Sequence, residues 1–426
     1  MGDFSHNRVV AKYAARLGLC FSTTRAINSI GRAHIRTIED IEKDGYCFTD
    51  GVGKISSFVA QMIAQELKLS PALSMPSAFQ FRMGGCKGML VAWPDIKGPE
   101  IQLRKSQIKF QTVYSGLEII RCSHFSTASL NRQTVTILSS LGVEDEIFNH
   151  MLNEQVSNYL CAMTDEKRAL NLLSRYVDDN YMTVVIAKII SDGFMQTREP
   201  FLLSILHLWR SWSIKALKEK ARIIVEKGAF LLGCVDEVGV LRGHKKVTGQ
   251  AGCPADVDEL PEIFIQVPER DLEGKITNRY VVIEGVCVLG RNPSLHPGDI
   301  RVVKAINAPE LHHLRDVVVF PQVGERDIPS MCSGGDLDGD DFFVIWDEDL
   351  IPTEWNATPM DYSPPKAKEL TRPVEVQDMM KFFVRYMKND SLPTIAHAHL
   401  ALSDFLDLGV KDPRCKQNTL SVCHNH

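Results

Sequence analysis

Three aspartates alternate along one short segment of the sequence. Asp336, Asp338 and Asp340 lie within Gly-Gly-Asp-Leu-Asp-Gly-Asp-Asp, residues 334–341. Two like charges about 4 Å apart repel by about 4 kcal/mol at an effective dielectric constant near 20, so a cation is expected among them. Mg²⁺ prefers hard oxygen ligands, and Gly339 permits a turn that lets the carboxylates on both sides of it converge. The segment therefore predicts a magnesium site.

Two other interpretations of this segment remain open. A calcium loop of the helix–loop–helix type needs glycine at its sixth position and glutamate at its twelfth. Counting from Asp336 places Asp341 and Asp347 there, and the β-prone run 342–346 follows where such a loop would continue into a helix. The second alternative is an acidic surface turn without function. The glycine pair before the aspartates and the apolar run after them favour the metal site.

Two further segments place basic residues in glycine- or proline-containing loops. Arg82 and Lys87 lie in residues 80–88 beside three glycines. Glycines let a backbone approach a phosphate, and a lysine supplies a point charge for it. Arg291 begins residues 291–299, a loop that two prolines would stiffen. Taken singly, the first is more often an exposed lysine turn, and the second is equally well a rigid surface connection.

Charge is distributed unevenly along the chain. The net charge of the 426 residues is −5, but residues 81–133 hold eight Lys or Arg and three acids. Residues 334–350, in contrast, hold seven acids and no base. The first stretch suits phosphates and the second suits cations. On charge alone, the favoured interpretation is two solvated faces that never meet.

Composition indicates a soluble globular chain of the cell interior. Apolar residues make up 44% and charged residues 24% of the sequence, which is typical of soluble domains. The longest apolar runs are far shorter than the roughly 20 residues of a membrane span, so no membrane partner is expected. Eleven cysteines are scattered singly, which indicates reduced thiols. The predicted location is intracellular, in the nucleus or the cytoplasm.

The elements that must position these residues fall into β-rich and helical parts. Ser56 can begin a helix by capping it, and residues 144–163 repeat apolar side chains with helical period. Further helices extend to about residue 220, with a break at 191–193. Beyond them, short β-prone runs separated by turn formers predict a small barrel, and residues 45–120 have a similar character. The pattern predicts two barrels flanking a helical connector.

The glycine, lysine and aspartate segments occur with others in a fixed order along the chain. The segments are 21–24, 50–56, 80–88, 104–110, 130–133, 291–299, 320–324 and 334–341. In this order they resemble the cell-encoded RNA-dependent RNA polymerases of eukaryotic RNA silencing. The resemblance extends over roughly residues 9–412.

The resemblance implies an α+β fold with two double-psi β-barrels that face each other across a cleft, joined by a helical connector and followed by a partial helical C-terminal region. It places the basic stretch 81–133, whose net charge is +5, opposite the acidic stretch 334–350. This differs from the interpretation based on charge alone, in which the two faces never meet. The expected parts are an N-terminal helical lead-in (1–44), a basic first barrel (45–125), the helical connector (126–220), a second barrel with the aspartate loop (221–347) and a partial C-terminal helical region with an atypical tail (348–426).

The resemblance also implies an RNA-directed RNA polymerase, a nucleotidyltransferase that copies single-stranded RNA into double-stranded RNA for gene silencing and siRNA production. Asp336, Asp338 and Asp340 would be catalytic and would hold Mg²⁺, or Mn²⁺ in its place, in a two-metal mechanism. The expected partners are a single-stranded RNA template, ribonucleoside triphosphates and silencing-pathway proteins. The residues expected to bind nucleotide or RNA are Arg82, Lys87, Lys109 and Arg291, of which Arg291 would read the incoming sugar.

The chain departs from the family in length and at its end. Family members are usually longer, and residues 417–426 do not resemble them. We therefore expect a fragment or a misread gene model that lacks the helices closing over the template. Two other functions stay open: a polymerase with the same barrels that copies DNA, and a catalytically inert RNA-binding relative or truncated gene product.

Overall fold

The computed structural model of the chain describes residues 2–28, 34–69, 75–175, 182–245, 256–270, 276–363 and 366–424. The strands are β1 (Arg25–Ile27), β2 (His34–Ile38), β3 (Glu42–Lys43), β4 (Tyr46–Cys47), β5 (Val52–Ser56), β6 (Ala78–Met83), β7 (Cys86–Trp93), β8 (Glu100–Arg104), β9 (Leu117–Cys122), β10 (Ser126–Ser129), β11 (Ile224–Val235), β12 (Glu262–Arg270), β13 (Ile276–Val282), β14 (Gly285–Arg291), β15 (Arg301–Ala305), β16 (Val317–Phe320) and β17 (Asp341–Ile345). The helices are α1 (Val10–Gly18), α2 (Ser57–Glu66), α3 (Arg132–Ser140), α4 (Asp145–Cys161), α5 (Glu166–Arg175), α6 (Met182–Ile189), α7 (Pro200–Lys220), α8 (Ile328–Met331), α9 (Val376–Lys388), α10 (Leu392–Phe405) and α11 (Pro413–His424).

The first sheet contains seven strands in the order β1-β9-β6-β7-β5-β8-β2. β5 pairs in parallel with β7, and β2 pairs in parallel with β8. The β6–β7 hairpin turns at Gly84 and Gly85, whose φ angles of 52° and 81° lie in the left-handed region that glycine adopts without steric cost. After β5, the Ser56 hydroxyl accepts a hydrogen bond from the Val59 N–H and begins α2, as its capping character predicted.

The second sheet closes into a barrel. β11 pairs in parallel with β16 over residues 232–235 and antiparallel with β17 over residues 228–232. The path β11-β16-β12-β15-β14-β17 therefore returns to its first strand, and six strands close. β10 and β13 extend the ladder by pairing with β11 and β12. Closure protects the edges of these strands and gives the loop before β17 a rigid support.

The two sheets pack directly against each other. Buried residues of β5, β6 and β7 share one hydrophobic cluster with residues of β11, β12 and β16. Buried ion pairs add to this interface, because Glu237 after β11 contacts Lys54 of β5 and Arg104 of β8. A shared core and a shared ion pair fix the spacing of the two sheets, and hence the width of the cleft between them.

The helical connector packs on the outside of the second barrel. Residues of α3–α7 form a second hydrophobic cluster with Phe343 and Ile345 of β17. The helix predicted over 144–163 is observed as α4. The predicted break at 191–193 is also observed, since Gly193 has a φ of 86° between α6 and α7. The connector thus supports the barrel strand that directly follows the aspartate loop.

The structure corrects two expected boundaries. Residues 1–44 are not only a helical lead-in, because β1 and β2 lie there and pair with β9 and β8 of the first sheet. β10 lies within the expected connector, 126–220, but pairs with β11 of the second barrel. Both errors arise because strands of three to five residues carry little sequence signal, and their partners lie far away in the chain.

The remaining observations concern the helices and the tail. No helix of the described residues is long and apolar enough to cross a membrane. Near the end of the chain, α10 packs against α11, and α9 packs against α1. Of the atypical tail 417–426, residues 425 and 426 lie outside the described ranges.

Candidate active site

The aspartate loop, residues 334–341, is held by hydrogen bonds within itself and by hydrogen bonds to the first sheet. The Asp338 N–H donates to Asp336 Oδ1 at 3.1 Å, and the Asp336 N–H donates to Asp340 Oδ2 at 3.0 Å. Between them, Leu337 is buried, and its N–H donates to the carbonyl oxygen of Asp50 at 3.0 Å. The three carboxylates are therefore gathered at the face of the second barrel that meets the first sheet.

Gly51 of the first sheet lies against this loop. A Cβ atom on Gly51 would be 2.5 Å from the Asp338 Cβ and 2.8 Å from its Cα, and the φ of Gly51 is 85°. Only glycine fits both the conformation and the space. The segment 50–56, one of the segments that carry the family resemblance, thus packs directly against the aspartate loop.

Two of the predicted basic residues contact the carboxylates directly. Lys87 Nζ of β7 pairs with Asp338 Oδ2. Arg291 at the end of β14 binds Asp340 through two nitrogens, with Nε 2.6 Å from Oδ2 and Nη2 3.1 Å from Oδ1. One cation comes from each sheet, so the acidic loop is bracketed from both sides of the cleft.

Arg82 and Lys109 lie close enough to feel the charge of Asp338. Burial lowers the pKa of Arg82, and the charge of Asp338 opposes this shift. The Nε of Arg82 is buried and has no hydrogen-bond partner among the described residues. Burial also lowers the pKa of Lys109. The charges of Asp50 and, more weakly, Asp338 oppose this shift. The structure therefore brings all seven predicted site residues to one region, two of the cations in contact and two nearby.

The surroundings of Asp336 and Asp50 oppose the ionisation of these carboxyl groups. The pKa of Asp336 is raised to about 7, first by burial and then by the charges of Asp338 and Asp340. The pKa of Asp50 is raised for the same first reason, and Lys109 opposes this shift. A site that keeps a carboxyl partly protonated near neutral pH is one where an added cation would be favourable.

The donor chemistry of the loop fits a divalent cation. Mg²⁺ and Mn²⁺ prefer carboxylate oxygens, and burial together with the neighbouring aspartates raises the pKa of Asp336, so a bound cation would stabilise its charged form. Within the described ranges, however, no group of three His, Cys, Asp or Glu side chains is already arranged around a common metal position. Asp338 and Asp340 direct oxygens at Lys87 and Arg291. A metal ion would therefore compete with Lys87 and Arg291 for these carboxylate oxygens.

The structure also adds residues that the sequence did not single out for the site. Arg16 of α1 feels the charge of Asp338, and burial lowers its pKa. Gln80 and Arg121 donate hydrogen bonds to the backbone of the loop. Arg121 was counted in the basic stretch 81–133, but its spacing gave no reason to prefer it over its neighbours. The interpretation of that stretch from charge alone is wrong, because the basic and acidic faces meet at Lys87 and Arg121.

Comparisons with known proteins agree with this architecture. Residues 1–424 match the family described as "RNA dependent RNA polymerase". The chain is 42% identical over 411 residues to RNA-dependent RNA polymerase 1 of Schizosaccharomyces pombe. The aligned region covers 93% of this chain and 33% of that protein. The chain is 40% identical over 420 residues to the probable RNA-dependent RNA polymerase SHL2 of rice, Oryza sativa subsp. japonica, covering 97% and 33%. The chain belongs to the RNA-dependent RNA polymerase family.

A solved structure has the same fold. The RNA-dependent RNA polymerase QDE-1 from Thielavia terrestris superposes with a TM-score of 0.74 at 21% identity, covering 98% of this chain and 49% of that one. The family match and the curated relatives confirm the family resemblance. The superposition, together with the closed six-stranded barrel, confirms the predicted fold class. Polymerases of this family generally use divalent metal ions. The chain spans about one third of the length of the two curated relatives.

Proposed function

We propose that this chain catalyses RNA-templated RNA synthesis, a nucleotidyl transfer that copies single-stranded RNA into double-stranded RNA. The observation that carries the proposal is the aspartate loop of the second barrel with Lys87 of the first sheet in contact with Asp338. An acidic loop and a basic face across a cleft match the needs of phosphoryl transfer, which depends on placing cations around the reacting phosphate.

Asp336, Asp338 and Asp340 are the proposed metal ligands. Mg²⁺, or Mn²⁺ in its place, would lower the pKa of the attacking 3′-hydroxyl and neutralise the charge on the α-phosphate and the leaving pyrophosphate, by the two-metal mechanism. The chain supplies the ligands on a short loop whose N–H groups already orient two of the carboxylates. Seating the loop on Asp50 and Gly51 keeps it at a fixed depth in the cleft.

The basic residues are proposed to bind the nucleotide. Lys87 would exchange its contact with Asp338 for a triphosphate oxygen. Arg82 of β6 is its cross-strand partner, and Lys109, in the segment after β8, donates its N–H to the carbonyl oxygen of Gly85 in the β6–β7 turn. The Nε of Arg82 supports such a role, because it is buried without an acceptor in the part of the chain that the structure describes, and an unsatisfied donor would gain a hydrogen bond from a ligand oxygen. Arg291, held by both oxygens of Asp340, would orient that carboxylate and read the 2′-hydroxyl of the incoming sugar.

We further propose the division of labour among the parts of the chain. Apart from the strands already reassigned, residues 45–125 would bind nucleotide and RNA, 126–220 would support the second barrel, 221–347 would carry the chemistry, and 348–426 would form a partial C-terminal helical region. The substrates would be ribonucleoside triphosphates and a single-stranded RNA template. The product would serve gene silencing through siRNA, with silencing-pathway proteins as partners, in the nucleus or the cytoplasm.

The test is a synthesis assay on the purified chain. Single-stranded RNA, labelled ribonucleotides and Mg²⁺ are incubated with the unaltered chain and with Asp338→Asn, whose fold is checked by its melting temperature. We expect labelled complementary RNA from the unaltered chain and none above background from the variant. A DNA template of the same sequence is run in parallel, and equal copying of DNA would contradict the RNA-templated assignment.

A non-catalytic RNA-binding function is the second candidate. It is favoured by the absence, among the described residues, of a ready-made group of three metal-ligating side chains. Two results together would establish it: RNA binding by the folded chain, and no synthesis in Mg²⁺ or Mn²⁺. Near-normal synthesis by Asp338→Asn would instead refute the assignment of the aspartate loop as the site.

A further inference from the structure

Two side chains of the first sheet hold the backbone of the aspartate loop. Gln80 of β6 donates its amide Nε2–H to the carbonyl oxygen of Asp338 at 3.3 Å. Arg121 of the neighbouring strand β9 donates from Nη2 to the carbonyl oxygen of Gly339. These carbonyls belong to the two successive peptide groups that separate Asp338 from Asp340. Both peptides between these aspartates are therefore fixed by groups from the opposite sheet.

Gln80 and Arg121 also bind each other. Arg121 Nε donates to Gln80 Oε1 at 3.1 Å, which orients the amide so that its Nε2 faces Asp338. The third nitrogen of the guanidinium, Nη1, pairs with Asp341 Oδ2 at 2.7 Å. Three nitrogens thus bind three different acceptors, which the planar fork of arginine can do and the single ammonium of lysine cannot.

The loop leaves little room for another arrangement. Gly339 has a φ of 130°, and a Cβ atom at this position would overlap the amide of Gln80. Glycine is needed here both for its conformation and for the close approach of Gln80. Rotation of either peptide would break a hydrogen bond to the first sheet, and the carboxylates of Asp338 and Asp340 leave the backbone on either side of these peptides.

We propose that Gln80 and Arg121 are positioning residues that set the separation of the Asp338 and Asp340 carboxylates and thereby the affinity of the loop for a divalent cation. The inference rests on the metal site of the proposed function. Partners that orient metal ligands without touching the metal typically change metal affinity or activity by about 10- to 100-fold when they are removed.

Charge and position predict opposite effects for Arg121. A cation beside a metal site repels the metal, so removal of the Arg121 charge would by itself strengthen metal binding. If Arg121 acts by fixing the peptides of the loop, its removal weakens metal binding despite the favourable change in charge. The direction of the effect therefore separates a positioning role from an electrostatic one, and the melting temperature of each variant shows whether weaker binding reflects a loss of the fold.

The measurement is Mn²⁺ binding by the purified full chain, read from the electron paramagnetic resonance signal of free Mn²⁺ without nucleotide. We expect Arg121→Gln to weaken Mn²⁺ binding by about 10- to 100-fold. Gln80→Leu should weaken it in the same range, and the double variant should bind no more weakly than the worse single variant, because the two side chains form one network. Binding by Arg121→Gln that is unchanged or tighter would overturn the inference.

Two further variants supply the controls. Arg121→Lys keeps the charge but cannot reach three acceptors, so we expect it to bind Mn²⁺ nearly as weakly as Arg121→Gln. Full recovery with lysine would show that the three-acceptor geometry of arginine is not needed. Arg36→Gln removes an exposed arginine from β2, which lies at the opposite end of the same sheet from β9, and should leave Mn²⁺ binding unchanged. Melting temperatures verify that each variant is folded.

The outcome is separable from that of the proposed function, because Mn²⁺ binding is measured without RNA synthesis. Weakened Mn²⁺ binding in Arg121→Gln, together with no synthesis by the unaltered chain, would uphold the positioning role and refute the polymerase activity. Synthesis by the unaltered chain together with normal Mn²⁺ binding in Arg121→Gln would do the reverse.

Discussion

The first sheet and the second barrel are joined by ion pairs at two places that differ in burial. At the first, the side chains of Glu237 and Arg104 are 8% and 3% exposed, and Arg104 binds both carboxylate oxygens at 2.8 and 3.0 Å. At the second, Lys87 and Asp338 are 24% and 18% exposed. The buried pair is shielded from solvent, whereas the pair at the aspartate loop opens onto the cleft.

The balance of charge differs as well. Burial alone would raise the pKa of Glu237, but Arg104 and Lys54 hold it below its usual value. The pKa of Asp336 is instead raised to about 7 by burial and by the neighbouring aspartates. At Glu237 the two cations outweigh the effect of burial on the pKa, whereas at Asp336 burial and the neighbouring aspartates prevail. This difference separates a structural contact from a candidate active site more clearly than the identity of the residues does.

The largest expected effect on stability is at the buried contact. Glu237→Gln leaves Arg104 and Lys54 without their common carboxylate, and removing one partner of a buried ion pair costs about 3–5 kcal/mol. We expect a large fall in the urea midpoint of unfolding, followed by tryptophan fluorescence. Glu39→Gln is the control, because Glu39 pairs with Lys105 at an exposed position. Equal midpoints for the two variants would remove the distinction between buried and exposed contacts.

The next effect concerns the open contact. Lys87→Ala removes a cation proposed to bind the triphosphate, and a charge-assisted hydrogen bond contributes about 1.5–3 kcal/mol. We expect the KM for nucleotides to rise by about tenfold or more, with the melting temperature little changed. Lys105→Ala is the matched control, since Lys105 directly follows β8 of the first sheet but forms an exposed ion pair with Glu39. A KM that stays at the unaltered value would exclude Lys87 from nucleotide binding.

A smaller effect is expected from Arg291→Lys. Lysine keeps the charge beside Asp340 but replaces two hydrogen bonds by one, and a bidentate arginine site does not tolerate this change freely. We expect kcat to fall by about tenfold or less, while RNA binding is retained in a filter-binding assay. If kcat is preserved, the charge of Arg291 suffices and its fork geometry has no role.

The smallest effect is the pH dependence of stability in the absence of metal. The pKa of Asp336 is about 7 in the folded chain and near 3.8 when unfolded, so the folded state binds a proton more tightly. Stability from this group is therefore greatest at low pH and falls as pH rises from about 4 to about 7. With EDTA present, we expect Asp336→Asn to reduce this fall by at most a few degrees in melting temperature. An identical pH profile for the variant would contradict the raised pKa.

The acidic half of the candidate site could be predicted almost entirely from the sequence. Asp336, Asp338 and Asp340 lie within a span of five residues, so their proximity follows from covalent connection alone, whichever fold surrounds them. The cap at Ser56 and the break before α7 were also predictable, because capping hydroxyls and glycines with positive φ act within a few residues. The roles of Asp336, Asp338 and Asp340 in metal binding remain predictions.

The basic half could not be derived from spacing. Lys87 and Arg121 lie on β7 and β9, which the pairing of the first sheet places on either side of β6. Arg16 lies on α1, outside the sheet, and reaches the charge of Asp338 only through the tertiary fold. The glycine- and proline-containing segments singled out Arg82, Lys87 and Arg291, and the family resemblance added Lys109, but neither indicated Arg121. The membership of β1, β2 and β10 in the two sheets was missed for a related reason, since their partners are about 60 to 100 residues away.

The sequence by itself determined the chemistry that is available: a repelling set of carboxylates, glycines that permit close approach, and an excess of basic residues elsewhere. Only the tertiary structure decided which cations face those carboxylates, because strand pairing and the closure of the second barrel bring together residues that are more than 200 positions apart, such as Arg121 and Asp341. Electrostatic forces act over a few ångströms of space, so their partners are chosen by the fold and not by separation along the chain.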